Sequence, residues 1–477
     1  MKASQILIFI ISVIICLTLL AFYFPVKGIY LGGLSLRFPS VEKILTHSSS
    51  ISEMVEEVEI PEIVAKDSVL QTLQDSVAFY RSLVENELGK FYFPNDDIHY
   101  FDALFQKMER AKDNEKVIRV LHYGDSQIEL DRISLNLRVW FQTKFGGGGP
   151  GLLPAVQTIP TGTVSQSSSG NYTIYSIYGD GLRRANGHYG LMCKCFSMNG
   201  HNTFYARSSG NKHVASSMKR FSIVKLLFDD HHGDFSATLN DKSGNSPIPR
   251  VSNTKGLQSF IWKLDTPTVS ISLSLDGSAD IFGVFIDGDY GVNVDNIPLR
   301  GSAGTIFTMI DDSLLQRSYK ESNVGLIILQ FGGNAIAGIS SVKGAEAYAK
   351  KMERQIRYIR KVFPEAKILF IGPSDMTRRV EGDMRTYPFL PETVAALKQV
   401  AVSNGAAFWD MFEVMGGENS MMAWYNHGLA GPDFIHFTAS GAHKIGTMLT
   451  NSFEYVYQFY ASERFFSTVK KENSNIQ

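Results

Sequence analysis

The sequence predicts a three-layer α/β/α domain, interrupted by an all-β insertion and preceded by a membrane-spanning helix. Three observations carry that prediction. Leu326-Ile327-Ile328-Leu329 and Lys367-Ile368-Leu369-Phe370-Ile371 have the apolar continuity of parallel strands buried on both faces, and Tyr348, Met352, Ile356 and Ile359 fall between them at helical spacing. From 154 to 288 the chain turns to short alternating segments, such as Phe235-Ser236-Ala237-Thr238-Leu239, separated by Gly, Asn and Asp turns, which predicts a β-sandwich with its own core. Residues 6–24 are apolar apart from Ser12 and Thr18, enough to cross a bilayer as a helix.

Residues 1–27 read as an uncleaved anchor, with Lys2 before the span, Pro25 and Lys27 after it, and no small-residue cleavage site. Bulky Ile15 before Cys16 excludes a lipid-modified cysteine. Residues 28–66 read as a linker, polar at Ser48-Ser49-Ser50 and acidic from Glu53 to Glu62. Val69, Leu73, Val77, Tyr80 and Leu83 predict a helix over 68–88 that packs on the α/β domain or serves as a spacer. That domain is expected over 67–153 and 289–465, split by the insertion at 154–288, with a tail over 466–477. Within it, Val117-Ile118-Arg119-Val120-Leu121 predicts a strand, as does Ala406-Ala407-Phe408-Trp409 after a helix built on Val394, Leu397 and Ala401. A last helix is expected over 440–459.

With 477 residues, 44% of them hydrophobic, the chain can bury more than one core. Its 46 basic and 47 acidic residues leave no electrostatic footprint for nucleic acid. Cys193 and Cys195 flank one residue and read as free thiols. His231-His232, beside Asp229, Asp230 and Asp234, has metal-ligand residue types but reads as a polar hairpin tip, so neither metal nor cofactor is expected. The glycine run 146–149 lacks the Lys-Ser/Thr ending of a phosphate loop. Tyr172, Tyr175, Tyr178, Tyr189, Phe204, Tyr205 and Trp262 are expected mostly in the core or in cross-strand pairs, with any exposed ones able to stack on sugar rings.

The chemistry lies in three short motifs. Gly124-Asp125-Ser126 comes directly after the first strand, placing a serine hydroxyl at the carboxyl edge of the sheet with its N–H at a helix start. Gly332-Gly333-Asn334 comes after the strand ending at Leu329, and Asp433-Phe434-Ile435-His436 lies near the carboxyl end. A serine needs a histidine to take its proton, and that histidine needs a carboxylate to hold its tautomer. The α/β-hydrolase pattern G-x-S-x-G is absent, since Gln127 and Ile128 come after Ser126.

In order and context these motifs resemble the SGNH (GDSL) hydrolase family over about residues 115–460. The resemblance implies a flavodoxin-like parallel sheet, with Ser126 as nucleophile and Asp433 and His436 completing a triad. It also implies an oxyanion hole from the Ser126 N–H, Gly301 and the Asn334 amide. Pro298 and Arg300 depart from the family's second block, which leaves Gly304 as the competing donor. The glycine run, the insertion and Gly428-Leu429-Ala430 look like the branch of peptidoglycan O-acetylesterases, which carry an inserted carbohydrate-binding-like module.

In function the resemblance implies a serine esterase that removes O-acetyl groups from a cell-envelope glycan, peptidoglycan or another polysaccharide, through an acyl-serine intermediate. The alternatives are an O-acetyltransferase with the same triad and a catalytically vestigial glycan-binding protein. The expected partners are an acetylated glycan and, through the anchor, a membrane; no protein partner is indicated. The catalytic domain is expected outside the cytoplasm, on the periplasmic side of a bacterial inner membrane, with the insertion overhanging its cleft.

Overall fold

The computed structural model describes residues 29–31, 34–36 and 62–474, apart from 180, 210–213, 217, 230–234, 241–248, 252–255 and 381. The expected anchor, most of the linker, Cys16 and the His231-His232 pair lie outside the described residues. Among the described residues no helix is long and apolar enough to cross a membrane. The chain divides into two units, residues 1–72 and 73–477. In the first, Ile29–Leu31 and Leu34–Leu36 pair as an antiparallel hairpin. The helix expected over 68–88 is α1 (Glu62–Asn86).

The second unit runs through β1 (Phe91–Tyr92), α2 (Asp102–Glu109), β2 (Val117–Gly124) and α3 (Ser134–Phe145) into the insertion. There it forms β3 (Gly151–Leu153), β4 (Val164–Ser169), β5 (Tyr172–Ser176), β6 (Lys194–Ser208), β7 (Phe221–Asp229), β8 (Ser236–Asn240), β9 (Arg250–Val251), β10 (Leu257–Thr268) and β11 (Ser270–Asp287). It returns as β12 (Gly291–Pro298), α4 (Asp312–Glu321), β13 (Val324–Gln330), α5 (Gly333–Ile336), α6 (Val342–Val362) and β14 (Lys367–Ile371). A hairpin of β15 (Thr377–Val380) and β16 (Asp383–Thr386) precedes α7 (Leu390–Ser403), β17 (Ala407–Trp409), α8 (Met411–Met415), α9 (Ser420–Asn426) and α10 (Ala439–Ser474).

One sheet has the order β12-β2-β13-β14-β17-β1, parallel except for the edge strand β1. This is the flavodoxin-like winding, whose order reverses beside the first strand and opens a crevice at the carboxyl ends there. The register places Gly124 opposite both Pro298 and Gln330, so the loops after β12, β2 and β13 start side by side. Period-two alternation explains the apolar runs. Leu326 and Ile328 of β13 pack in one buried cluster with Leu137, Phe141 and Phe453, while Ile327 and Leu329 pack in another with Met352, Ile356 and Leu397. Each such side chain contributes about 1.5–3 kcal/mol on burial.

One expectation about this layer changes: the helix expected to end at 459 runs to Ser474, so most of the expected tail over 466–477 is helical. The two-residue edge strand β1 is too short to show an alternation in the sequence.

The insertion is antiparallel throughout, but it is one connected nine-strand sheet rather than two separate sheets. The reason is β11, 18 residues long. Its first part pairs with β6 and β8, its last part with β7 and β3. The register shifts between Ile281 and Gly283, and Phe204, Trp262, Leu273 and Val284 share a buried cluster of the insertion. The sheet starts at Gly151 rather than 154, because β3 closes against the end of β11. The glycine run before it lies flat on other backbone: a Cβ at Gly147 or Gly149 would sit 2.3 Å from the carbonyl oxygen of Val292 or Ile286. Phe204, Tyr189 and Trp262 are buried and Tyr205 is exposed. Cys193 and Cys195 are buried free thiols.

The insertion is fused to the α/β layer. Leu152, Leu227, Phe282 and Phe285 share a buried cluster with Leu121 and Ile297. Beside them Arg119 of β2 donates Nη1 to Asp295 of β12 at 2.9 Å and also pairs with Asp287 of β11. Asn293 Nδ2 reaches Asp287 at 2.9 Å, Leu152 N–H reaches Asp295 at 2.8 Å, and the Phe285 ring centroid lies 4.2 Å from the guanidinium carbon. Burial pushes the Asp287 carboxyl up despite Arg119 beside it. Arg119→Ala strands two buried carboxylates, so unfolding by urea, monitored by intrinsic fluorescence, is expected to show a loss of about 3–5 kcal/mol. A loss below about 1 kcal/mol would place the cluster among ordinary surface-like pairs.

Candidate active site

β2 delivers its last residue, Gly124, straight into a 3-10 turn, Ser126–Asp131, because Asp125 caps that turn: its Oδ1 accepts the Gln127 N–H at 3.0 Å. Ser126 therefore stands at the carboxyl edge with its own N–H in the unpaired first position of a helical turn. Its hydroxyl donates to His436 Nε2 at 2.7 Å, and His436 Nδ1–H donates to Asp433 Oδ2 at 2.7 Å. The other carboxylate oxygen of Asp433 accepts the N–H groups of Ile435 and His436 at 3.1 and 3.0 Å, which folds the DxxH segment into a single tight loop. Partial burial raises the Asp433 pKa, but the bonds from the His436 ring and from the two backbone N–H groups outweigh it and hold the carboxyl below its usual value. The structure thus brings Ser126, His436 and Asp433 into one hydrogen-bonded line.

Gly301 and Asn334 line the same cleft, of about 610 Å³, as Ser126 and His436. Asn334 Nδ2 donates to the Ser302 carbonyl at 3.2 Å, which orients the amide and leaves its second N–H to the cleft. Between the two candidate glycines the structure discriminates. Gly301 has φ +76° with open space where a Cβ would be, and its N–H has no partner among the described residues. The Gly304 N–H is already bound by Ser302 Oγ at 3.1 Å, and a Cβ there would lie 2.6 Å from the Phe331 ring. Gly304 is a packing glycine and Gly301 faces the cleft. Among the described residues no group of His, Cys, Asp and Glu is arranged to hold a metal.

The residues that align the line were not foreseen. Gln127 spans the histidine loop, donating Nε2 to the Ile435 carbonyl at 2.7 Å and accepting the Phe437 N–H at 3.3 Å. Arg132 donates to the Ser126 carbonyl at 2.6 Å and to the Phe437 carbonyl at 3.0 Å. Arg300, just before Gly301, makes a two-pronged ion pair with Glu129 of the serine turn. Of these, Arg300 stands out in the sequence as a departure from the second block of the resembled family. Among the described residues none of 154–288 lines the cleft, so the expected overhang of the insertion is not seen. Behind the cleft floor, burial lowers the His122 pKa to about 4, so it is neutral between Gln330 and Ser134.

No protein-family model and no curated protein sequence matches the chain. Among solved structures it is similar to a peptidoglycan O-acetylesterase, with a TM-score of 0.60 and 23% identity over 74% of this chain and 95% of that one. An acetyl xylan esterase matches at TM-score 0.25 and 12% identity, over 34% of this chain and 81% of that one. A family two carbohydrate esterase from Cellvibrio japonicus matches at TM-score 0.25 and 10% identity, over 62% of this chain and 99% of that one. At 0.25 the last two carry no argument. At 23% identity the first shows the fold alone.

Asp125 supplies a test of the turn. Burial pushes its carboxyl up to about 6, partly offset by the Gln127 N–H and by His436. The folded state therefore holds this proton where the unfolded state, near 3.8, has released it, and stability contributed below that value is lost as pH rises through about 6. Asp125→Asn keeps the acceptor for Gln127 and removes the titration. It should flatten the fall in stability between pH 4 and 6 by roughly 2–3 kcal/mol relative to the parent chain. Parallel pH profiles for the two proteins would contradict this.

Proposed function

We propose that the chain is a serine esterase that removes O-acetyl groups from a cell-envelope glycan. The single observation carrying this reading is the Ser126–His436–Asp433 line opening on a cleft shared with Gly301 and Asn334. His436 takes the Ser126 proton as the hydroxyl attacks the acetyl carbonyl. The Ser126 and Gly301 N–H groups and the Asn334 amide receive the oxyanion, and as the acyl C–O bond breaks His436 gives the proton to the departing sugar oxygen, which leaves as a hydroxyl. Water, deprotonated by the same imidazole, then releases acetate from the acyl-serine. Each oxyanion donor is worth about 2.7–4 kcal/mol of barrier. The fold shared with a peptidoglycan O-acetylesterase supports an acetylated glycan as substrate. The apolar span at residues 6–24 supports an anchored enzyme acting outside the cytoplasm.

Ser126→Ala should lower hydrolysis of a small aryl acetate and of O-acetylated peptidoglycan by at least roughly 10³-fold without changing the unfolding midpoint, and Asp433→Asn should cost roughly 10⁴-fold by favouring the wrong imidazole tautomer. Substantial activity in the alanine variant would remove Ser126 as nucleophile. Running the glycan reaction with an oligosaccharide acceptor and measuring free against transferred acetate distinguishes hydrolysis from transfer; release as free acetate is expected.

A further inference from the structure

The serine turn ends in a conformation that its own residues disfavour. Leu130 and Asp131 are consecutive non-glycine residues with φ of +61° and +59°. Each costs about 1–2 kcal/mol in the left-handed region, and such strain persists only where the surroundings over-determine it. Leu130 is 48% exposed, so its side chain does not hold the turn. Asp131 is 2% exposed, and its carboxylate is the point of attachment.

That carboxylate is gripped largely from the insertion. Thr163 Oγ donates to Oδ2 at 2.7 Å, and Thr161 Oγ donates to the same oxygen. Both threonines lie in the loop between β3 and β4. Between them Gly162 lies against the turn so closely that a Cβ there would come 2.6 Å from the Leu130 carbonyl oxygen. Arg138 of α3 takes Oδ1 at 3.3 Å and also donates to the Val294 carbonyl of β12 at 2.6 and 2.8 Å, which ties the carboxylate to the strand leading to Gly301.

We propose that the inserted β domain positions the nucleophile, through a latch in which Thr161 and Thr163 hold Asp131 and thereby the whole Ser126–Asp131 turn. This deepens the esterase reading and rests on Ser126 being the nucleophile. Asp131, Thr161 and Thr163 are positioning residues, since none of them lines the cleft. The latch holds the turn at Asp131, next to Arg132, while Gln127 joins the histidine loop at the residue after Ser126, so releasing Asp131 shifts Ser126 Oγ and the Ser126 N–H relative to His436.

The test uses the full chain carrying Thr161→Val with Thr163→Val, which removes both hydroxyls at nearly constant volume. On a small aryl acetate, kcat should fall roughly 10–100-fold with KM within about twofold, as displacement of a reacting group by a fraction of an ångström predicts. The rate at which a small organophosphonate modifies Ser126 should fall in parallel. Thr161→Ser with Thr163→Ser restores the hydroxyls and should recover kcat to within about threefold of the parent. Should the valine pair fail to fold, Thr163→Val alone, which leaves Thr161 on the carboxylate, gives the same comparison. An unchanged kcat, or a loss that serine does not rescue and that tracks the unfolding midpoint, overturns the latch. If Ser126→Ala is inactive while the valine pair is unaffected, the latch alone fails. If Ser126→Ala stays active, the esterase reading fails first.

Discussion

The hydrogen bond from Ser126 to His436 joins residues 310 apart in sequence, and nothing local to either segment fixes its length. It is set by cross-ties from the turn that carries the serine. Gln127 holds the histidine loop at two backbone atoms, and Arg132 reaches both the serine carbonyl and Phe437. Each tie is worth only about 0.5–1.5 kcal/mol in stability. Their value is geometric, because they tie the serine turn to the histidine loop both at Gln127 and at Arg132. Glu129 extends the same control to the oxyanion side by holding Arg300 next to Gly301.

The position of that turn is a consequence of topology. The order of the parallel sheet reverses beside β2, so the loops after β2, β12 and β13 open on one crevice, and these loops carry Ser126, Gly301 and Asn334. The insertion leaves the chain after α3 and returns at β12, the strand paired with the one that leads to the serine. Two different interactions bind it there. The buried Arg119 cluster joins β2, β11 and β12 and bears on stability, whereas the Asp131 contacts bear on the shape of the turn.

Much of this was legible in the sequence, and the rest was not for identifiable reasons. Apolar continuity in Leu326–Leu329 marks a strand buried on both faces, and the structure shows alternate residues packed against opposite helix layers. Ser126 and Asn334 could be named because their motifs stand at strand ends, and Asp433 and His436 because a DxxH segment near the carboxyl end completes the motif order. Gly301 and Gly304 could not be separated, since the distinction lies in which N–H is already bonded. The single sheet of the insertion is joined through β11, which changes partners along its length across a register shift that an alternation pattern does not show. Gln127, Arg132 and Asp131 act through contacts made long after they are passed in sequence, and residue type alone does not reveal such contacts.

The most direct measurement is mass spectrometry of the protein, acid-quenched during turnover of an activated acetyl ester and digested. The account predicts a transient acetyl group on the peptide containing Ser126, accumulating in the Asp433→Asn variant if deacylation is slowed more than acylation, and absent in Ser126→Ala. Acetyl found on another residue, or turnover with no covalent intermediate when acylation is shown to be fast, would contradict it.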